Sequence, residues 1–285
     1  MNNLNPKKRV IALYIILRAF VITILILSFA QKNYNNVFMC VLTLLLFTIP
    51  TIIDRKLNIK LPSVLEGIIL LFIFAAEILG EIHGFYLKIP YWDTLLHTMN
   101  GFMMAAIGFA MIDILNQSPR LHFNMSPIFV AFVSFCFSMT IGVLWEFFEY
   151  GMDLYTMSDM QKDAVVEVLS SIDLNSHIVN TPVVVENIQK TTIDGTIDGV
   201  ATQMVIEGGY LDMGLVDTMA DLTVNCIGAL CFSVIGILYI KGRSHFAKSF
   251  IPQLKTKEEI IKSNKEIKNK HKNERKKQWT LSLKK

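Results

Sequence analysis

The sequence predicts an all-α protein that crosses a membrane about six times as a polytopic helical bundle, and three observations support this prediction. First, 52% of the 285 residues are hydrophobic and 18% are charged, with a mean hydropathy of +0.44, which exceeds that of a typical soluble domain. Second, several apolar stretches approach the roughly 20 residues that a helix needs to cross about 30 Å of hydrocarbon. Third, basic residues concentrate in alternate loops, as the positive-inside rule describes.

The apolar stretches are interpreted as helices because a backbone in lipid must satisfy its own hydrogen bonds. They comprise residues 10–30, 37–53, 64–82, 94–115, 127–149 and 217–240. The first follows Lys7, Lys8 and Arg9, as a secretory signal does, but it is longer than a signal core of about 7 to 15 residues. We therefore expect it to be retained as the first span.

The charge distribution predicts a cell-membrane protein with both termini in the cytoplasm. Residues 241–285 carry 15 basic and 4 acidic residues, whereas residues 150–215 carry 2 basic and 10 acidic residues. Because basic segments remain inside, we expect the former to be a cytoplasmic tail and the latter an extracytoplasmic loop or small cap. Spans one to five then occupy residues 1–149, and the sixth span occupies residues 216–240.

The acidic loop is longer than a connector requires, which favours local folding or a functional role. Residues 159–172 have apolar side chains at helical spacing and predict a helix, whereas residues 177–189 are interpreted as extended. The tandem repeat TIDGTIDG, residues 192–199, is interpreted as two turns. Calcium is the alternative for this repeat, although an EF-hand loop needs several ligands over 12 residues and a final Glu.

Ionisable residues, which are costly in hydrocarbon, gather at one end of spans three to six. With both termini inside, all four of these ends face the outer side. Asp93 and His97 are four residues apart, as are Asp217 and Asp221, so each pair lies along one helical face. We therefore expect an outward-facing acidic pocket. Its further members are Glu77, Glu81, Asn100, Trp145, Asp153, Thr218 and Asn225.

The donor types in this pocket predict a divalent metal ion as a cofactor. Carboxylates suit magnesium, calcium or manganese, and an imidazole added to them also admits zinc or iron. The expected metal ligands are Asp93, His97, Glu146 and Asp221. The expected general bases are Glu149 and Asp217.

Individual residues of the pocket also have simpler explanations. Asp93 and Asp217 stand where acidic residues favour a helix N-terminus. Trp145 is typical of an interfacial anchor, and an isolated His97 is typical of a hydrogen-bonded packing residue. The hypothesis of a shared site depends on the convergence of the four helix ends.

Three functions are consistent with such a pocket. The first is a metal-assisted hydrolase or transferase that acts on an envelope lipid or a lipid-linked group. The second is an ion- or proton-coupled transporter, which with six spans is expected to form a homo-oligomer. The third is a non-catalytic scaffold or partner subunit. The sequence has no Walker loop, H-E-x-x-H or G-x-S-x-G motif, and its basic tail lacks a nucleic-acid-binding motif.

Three segments carry a resemblance to a known family. They are WDTLLHTMNGF (92–102), WEFFEYGMD (145–153) and GYLDMGLVDTMADLTVNCIGA (209–229). Together they resemble the YjdF-like family of bacterial inner-membrane proteins, and the Asp-Thr-x-x-Asp element is similar to VanZ-like membrane proteins. The resemblance implies a membrane fold and no particular reaction. The residues that it singles out are Asp93, His97, Gly101, Trp145, Glu146, Asp217, Thr218, Asp221 and Gly228.

Overall fold

The structure is a computed structural model, and most of its described residues are helical. It describes residues 6–56, 59–116, 125–175, 178–242, 250–256, 258, 259 and 261. Most of the segment predicted as a basic cytoplasmic tail, 241–285, lies outside the described residues.

The helices follow the predicted apolar stretches. They are α1 (Pro6–Ala30), α2 (Tyr34–Leu46), α3 (Ile49–Lys56), α4 (Ser63–Ile73), a π-helical segment (Phe74–Ile82), α5 (Phe85–Lys88), α6 (Trp92–Asn116), α7 (Pro127–Thr156) and α8 (Leu215–Ile240).

Six helical stretches among the described residues are long and apolar enough to cross a membrane. The second combines α2 with α3, and the third combines α4 with the π-helical segment. Each coincides with a predicted span, so the predicted polytopic helical bundle is confirmed. On α1, Ile15, Ile16 and Ile26 are exposed, as expected for side chains that face lipid.

The chain divides into two compact units, residues 1–139 with 225–285 and residues 140–224. In the first unit, one hydrophobic cluster joins α1, α4 and the π-helical segment through Val21, Leu65 and Ile78. A second cluster contains Phe109 of α6 and Phe232 of α8, whose ring centroids are 6.0 Å apart.

The chain returns to the first unit within α8, at Asn225, and stays in it beyond the end of the helix. Ile251 is buried in the second hydrophobic cluster. Strand β8 (Gln253–Leu254) pairs antiparallel with strand β1 (Ile59–Lys60), which lies between α3 and α4. Next to this pairing, Lys255 Nζ contacts Asp54 Oδ2 at 2.7 Å. This short part of the predicted tail is therefore anchored to the loop between the second and third spans.

The described residues of the second unit form three antiparallel strand pairs. They are β2 (Val165–Val166) with β7 (Tyr210–Leu211), β3 (Leu169–Ser171) with β4 (Val183–Val185), and β5 (Lys190–Ile197) with β6 (Val200–Glu207). The extended interpretation of residues 177–189 is thus confirmed for β4.

Two local predictions in this segment are wrong. The helix predicted for residues 159–172 is absent, because this stretch instead supplies β2 and β3, which pair with β7 and β4. The two residues of β2 are both valine, which is β-branched and favours strands. The repeat TIDGTIDG forms one turn rather than two, since its first Asp-Gly lies within β5. Only Asp198 and Gly199, with φ of 51° and 80°, form the two-residue turn that joins β5 to β6.

Candidate functional site

The first turns of α6 bring a carboxylate and an imidazole together. Asp93 lies in the first turn of α6, and its Oδ1 is 3.4 Å from Nε2 of His97. Their side chains are 28% and 10% exposed, so the imidazole is largely removed from the surface. The predicted i, i+4 relationship places both groups on one face of the helix, as their sequence spacing requires.

One turn further along, α6 is in backbone contact with α8. A Cβ on Gly101 would lie 2.0 Å from the carbonyl oxygen of Asn225, and a Cβ on Gly228 would lie 2.0 Å from that of Thr98. Neither position accommodates a side chain. The two glycines that the YjdF-like resemblance singles out therefore allow these helices to approach each other.

Polar side chains are paired beside this contact. Asn100 Nδ2 donates to Asn225 Oδ1 at 3.0 Å, and Asn225 is completely buried. Ser138 of α7 donates from Oγ to the carbonyl oxygen of Gly101 at 2.8 Å. These bonds fix the rotation of α6 about its axis in the first unit, because each has a narrow range of donor geometry.

Glu77 has an unusual position in the π-helical segment. It is 3% exposed, and its Oε2 is buried without a hydrogen-bond partner among the described residues. The wide turns of this segment are seen in the bond from the His83 amide to the Ile78 carbonyl, which spans five residues. π-helical turns are rare in proteins as a whole, but those that occur are frequently at functional sites. Glu77 is therefore the second feature of interest in this unit.

In the second unit, the last turns of α7 hold two buried carboxylates. Glu146 is 4% and Glu149 is 8% exposed. Trp145 Nε1 donates to Glu149 Oε1 at 2.8 Å, which orients that carboxylate. Trp145 therefore orients a side chain that the sequence predicts to be a general base. Its interpretation as a membrane anchor did not include this role.

Asp153 and Asp217 contact the backbone of the segment that follows α7. Asp153 Oδ1 accepts the Met160 amide at 2.6 Å, and its Oδ2 accepts the Gln161 amide at 2.8 Å. Asp217 Oδ2 accepts the Lys162 amide at 2.8 Å. Both carboxylates thus anchor the start of the loop, in addition to any role in a pocket.

The neighbouring Thr218 has a similar role. Its Oγ1 accepts a 2.6 Å bond from Gln161 Nε2. Residues 160–162 are consequently held by side chains from both ends of the loop, which restricts their motion.

The model of a family described as predicted membrane protein, DUF2238, matches residues 12–174, which is more than half of the chain. The chain belongs to the DUF2238 family. Comparison with curated proteins gives no match, and comparison with solved structures gives none.

Membership of DUF2238 confirms the coarser part of the expected resemblance, which is a membrane family of unknown function. The YjdF-like and VanZ-like names have no support from these comparisons and stay predictions. The DUF2238 match includes Asp93, His97 and Glu146. Asp221, which is 4% exposed and lies one turn ahead of Asn225 in α8, falls outside it.

Asp212, a carboxylate in the loop of the DUF2238 protein that accepts three backbone amides, was not predicted from the sequence. Its Oδ1 accepts the Ala164 amide at 2.7 Å, and its Oδ2 accepts the Val216 amide at 2.6 Å. Partial burial acts to raise the pKa of Asp212, but these amides and that of Gly214 outweigh it and lower the pKa below its ordinary value. Its position just before α8 was an available signal, because acidic residues favour helix N-termini.

The pKa of nearby Asp163 is shifted in the opposite direction. Burial and repulsion from Asp159, Asp212 and Asp153 raise it above the ordinary value. The loop therefore contains one carboxylate that favours the ionised form and one that resists it.

Proposed function

We propose that this DUF2238 protein binds a divalent metal ion at the outer side of the cytoplasmic membrane and uses it for hydrolysis or group transfer on an envelope lipid. The proposed ligands are Asp93, His97, Glu146 and Asp221. Both termini lie in the cytoplasm in this proposal, because the basic residues concentrate on that side. The residues coincide with those of the YjdF-like resemblance.

The observation that carries the proposal is the pairing of Asp93 with His97. A carboxylate oxygen and an imidazole nitrogen 3.4 Å apart on adjacent turns have the spacing of two donors that can share one ion. An imidazole nitrogen suits zinc or iron, and carboxylate oxygens suit magnesium, calcium or manganese. The helix holds both side chains without a flexible loop, which favours a defined coordination geometry.

The other two proposed ligands are also carboxylates removed from the surface. Glu146 and Asp221 are each 4% exposed, and carboxylate oxygens are ligands that suit magnesium and manganese. His97 lies one turn ahead of Asn100, and Asp221 one turn ahead of Asn225. Asn100 and Asn225 are themselves hydrogen-bonded to each other at 3.0 Å.

The chemistry follows from the types of side chain present. A bound divalent ion supplies Lewis acidity to an ester or phosphoryl oxygen. Glu149 and Asp217 are the two proposed acceptors of a proton from the attacking water. Each has one oxygen that accepts a hydrogen bond, from the indole N–H of Trp145 and from the Lys162 amide respectively, and a second oxygen that the proposal assigns to the proton.

Incubation of the purified protein with radiolabelled envelope lipids and added manganese, zinc or magnesium tests the proposed reaction. The wild type is expected to release a water-soluble or transferred product, and the His97→Gln variant is expected to lose this activity. Asp113→Asn, a change near the other end of α6, is the matched control and should retain it. Equal turnover by the wild type and His97→Gln would exclude a role for His97 in the reaction.

A proton- or ion-coupled transporter, as a homo-oligomer, is the second candidate, and Glu77 favours it. Glu77 has a buried carboxyl oxygen that lacks a hydrogen-bond partner in the described part of the chain, and such a group is suited to bind and release a proton during transport. Proton flux into vesicles that contain the protein tests this candidate. Flux that is lost in Glu77→Gln but retained in Glu66→Gln supports a transporter, whereas no flux in the wild type rejects it.

A further inference from the structure

A separate cavity lies between α1, α3 and the turn that precedes α3. It has a volume of about 340 Å³. The polar residues that line it are Tyr14, Arg18, Thr48, Thr51, Arg55 and Lys56. None of its described lining residues carries a carboxylate, so three cationic side chains and three hydroxyl groups face one space.

Arg18 is held in place at this cavity although it lies within a membrane span. Its Nη1 donates to Tyr14 Oη at 2.5 Å, and the guanidinium lies 5.5 Å from the centroid of the Tyr14 ring. A cationic group within a span is costly without a compensating partner. Tyr14 orients the guanidinium but leaves its charge uncompensated.

The neighbouring acidic residue does not neutralise the cavity. Asp54 precedes Arg55 and Lys56 in the chain, but its carboxylate contacts Lys255 at 2.7 Å. Among the described residues, no ion pair joins Arg18, Arg55 or Lys56 to a carboxylate. The cavity therefore has a net positive charge that favours an anionic ligand.

We propose that this cavity binds a phosphoryl anion, and that its occupant is the headgroup of an anionic phospholipid. The planar guanidinium groups of Arg18 and Arg55 suit the paired oxygens of a phosphate, and the threonine and tyrosine hydroxyls add neutral donors. Basic pockets between membrane helices on the cytoplasmic side are a known type of lipid-headgroup site. This end of α3 belongs to the side that the basic residues assign to the cytoplasm.

An adjoining cavity supports a lipid rather than a soluble phosphate. It has a volume of about 210 Å³ and shares Tyr14 and Thr51 with the basic cavity. Val10, Phe47 and Leu70 give it an apolar wall, which Glu66 interrupts. The apolar side could accommodate part of an acyl chain whose phosphate lies in the basic cavity, because apolar surface favours such burial.

Native mass spectrometry of the full chain in detergent, with equal concentrations of phosphatidylglycerol and phosphatidylcholine, tests the proposal. The wild type is expected to retain phosphatidylglycerol in preference to phosphatidylcholine. In the Arg55→Gln, Lys56→Gln double variant, the preference for phosphatidylglycerol is expected to fall about tenfold. This is the change in affinity expected when one hydrogen bond to a charged group is lost. Both side chains are exposed, so the double variant should fold normally.

Arg9→Gln is the matched control, because Arg9 is an exposed basic residue of α1 that does not line the cavity. It should bind lipid as the wild type does. Arg18→Gln, with its fold checked by circular dichroism, should weaken binding further. Equal retention of the two lipids by the wild type, or equal behaviour of the double variant and Arg9→Gln, would overturn the proposal.

Addition of inorganic phosphate distinguishes the two sources of the anion. If millimolar phosphate leaves the phosphatidylglycerol bound, the lipid headgroup is the occupant. If phosphate displaces it and binds to the wild type but not to the double variant, the site is a phosphoryl-anion site that takes soluble phosphate. Failure of both phosphatidylglycerol and phosphate to bind overturns the proposal.

Discussion

The carbonyl oxygen of Asn225 occupies the space that a side chain on Gly101 would need. A Cβ built on Gly101 lies 2.0 Å from this oxygen, well inside van der Waals contact. The backbones of α6 and α8 thus touch beside the Asn100–Asn225 hydrogen bond. The position of the polar residues on α6 depends on this contact.

Gly101→Ala is therefore expected to lower the thermal midpoint of the purified protein in detergent. The new methyl group must displace backbone atoms, and overpacking of this kind costs about 1 to 3 kcal/mol, occasionally more. Gly67→Ala is the control, because nothing lies within 4 Å of a Cβ at that helical position, and it should be neutral or stabilising by up to about 1 kcal/mol. Equal midpoints for Gly101→Ala and the wild type would contradict the backbone contact.

Asn225→Ala should also destabilise the protein, because it removes the acceptor for Asn100. The expected loss is about 1 to 3 kcal/mol, since a buried polar pair is broken. A double-mutant cycle with Asn100→Ala measures the coupling from detergent-based unfolding curves. Additive effects of the two changes would show that the hydrogen bond contributes no coupling energy.

Glu77→Met should raise the thermal midpoint. The substitution removes a buried carboxyl oxygen that lacks a hydrogen-bond partner among the described residues, and such a group costs about 1 to 3 kcal/mol. Glu77→Gln, which keeps a polar group at the same place, should give a smaller gain. A fall in the midpoint for both variants would mean that the carboxyl group stabilises the fold.

The bonds to Asp212 predict a pH dependence of the loop. Its pKa in the folded protein is lowered, so the ionised carboxylate stabilises the fold above the unfolded pKa of about 3.9. This stabilisation is lost as the pH falls through the folded pKa. Hydrogen exchange at the Ala164 and Val216 amides, corrected for intrinsic rates, should therefore accelerate below about pH 4.

Asp212→Asn should remove this pH dependence and accelerate exchange at both amides near neutral pH. Asp163 has the opposite effect on stability. Its pKa is raised, so protonation of that group stabilises the fold as the pH falls. Measurements on an Asp163→Asn background separate the two effects. Unchanged exchange in Asp212→Asn would mean that its bonds to the two amides do not stabilise the loop.

The span positions could be predicted from the sequence because apolar length alone determines them. The stretches predicted at 94–115 and 217–240 became α6 and α8 with boundary differences of at most two residues. The i, i+4 spacing of Asp93 and His97 likewise predicted their proximity, since both residues belong to one helix.

Features that depend on distant partners could not be predicted in the same way. Asp212 binds the amide of Ala164, which is 48 residues away in the chain, and Val165 pairs with Leu211 rather than forming a helix. The π-helical segment around Glu77 widens the helix by about one residue per turn, which hydrophobic spacing does not reveal.

Elemental analysis of the purified protein tests the proposed metal site most directly. The protein is loaded with a mixture of manganese, zinc, iron and magnesium, desalted without chelator and compared with Asp93→Asn, Asp221→Asn. A matched double variant, Glu66→Gln, Asp113→Asn, removes two carboxylates elsewhere. We predict near-stoichiometric divalent metal in the wild type and the matched variant, with loss in Asp93→Asn, Asp221→Asn. Equal metal content in all three proteins, or none in the wild type, would contradict the proposed site.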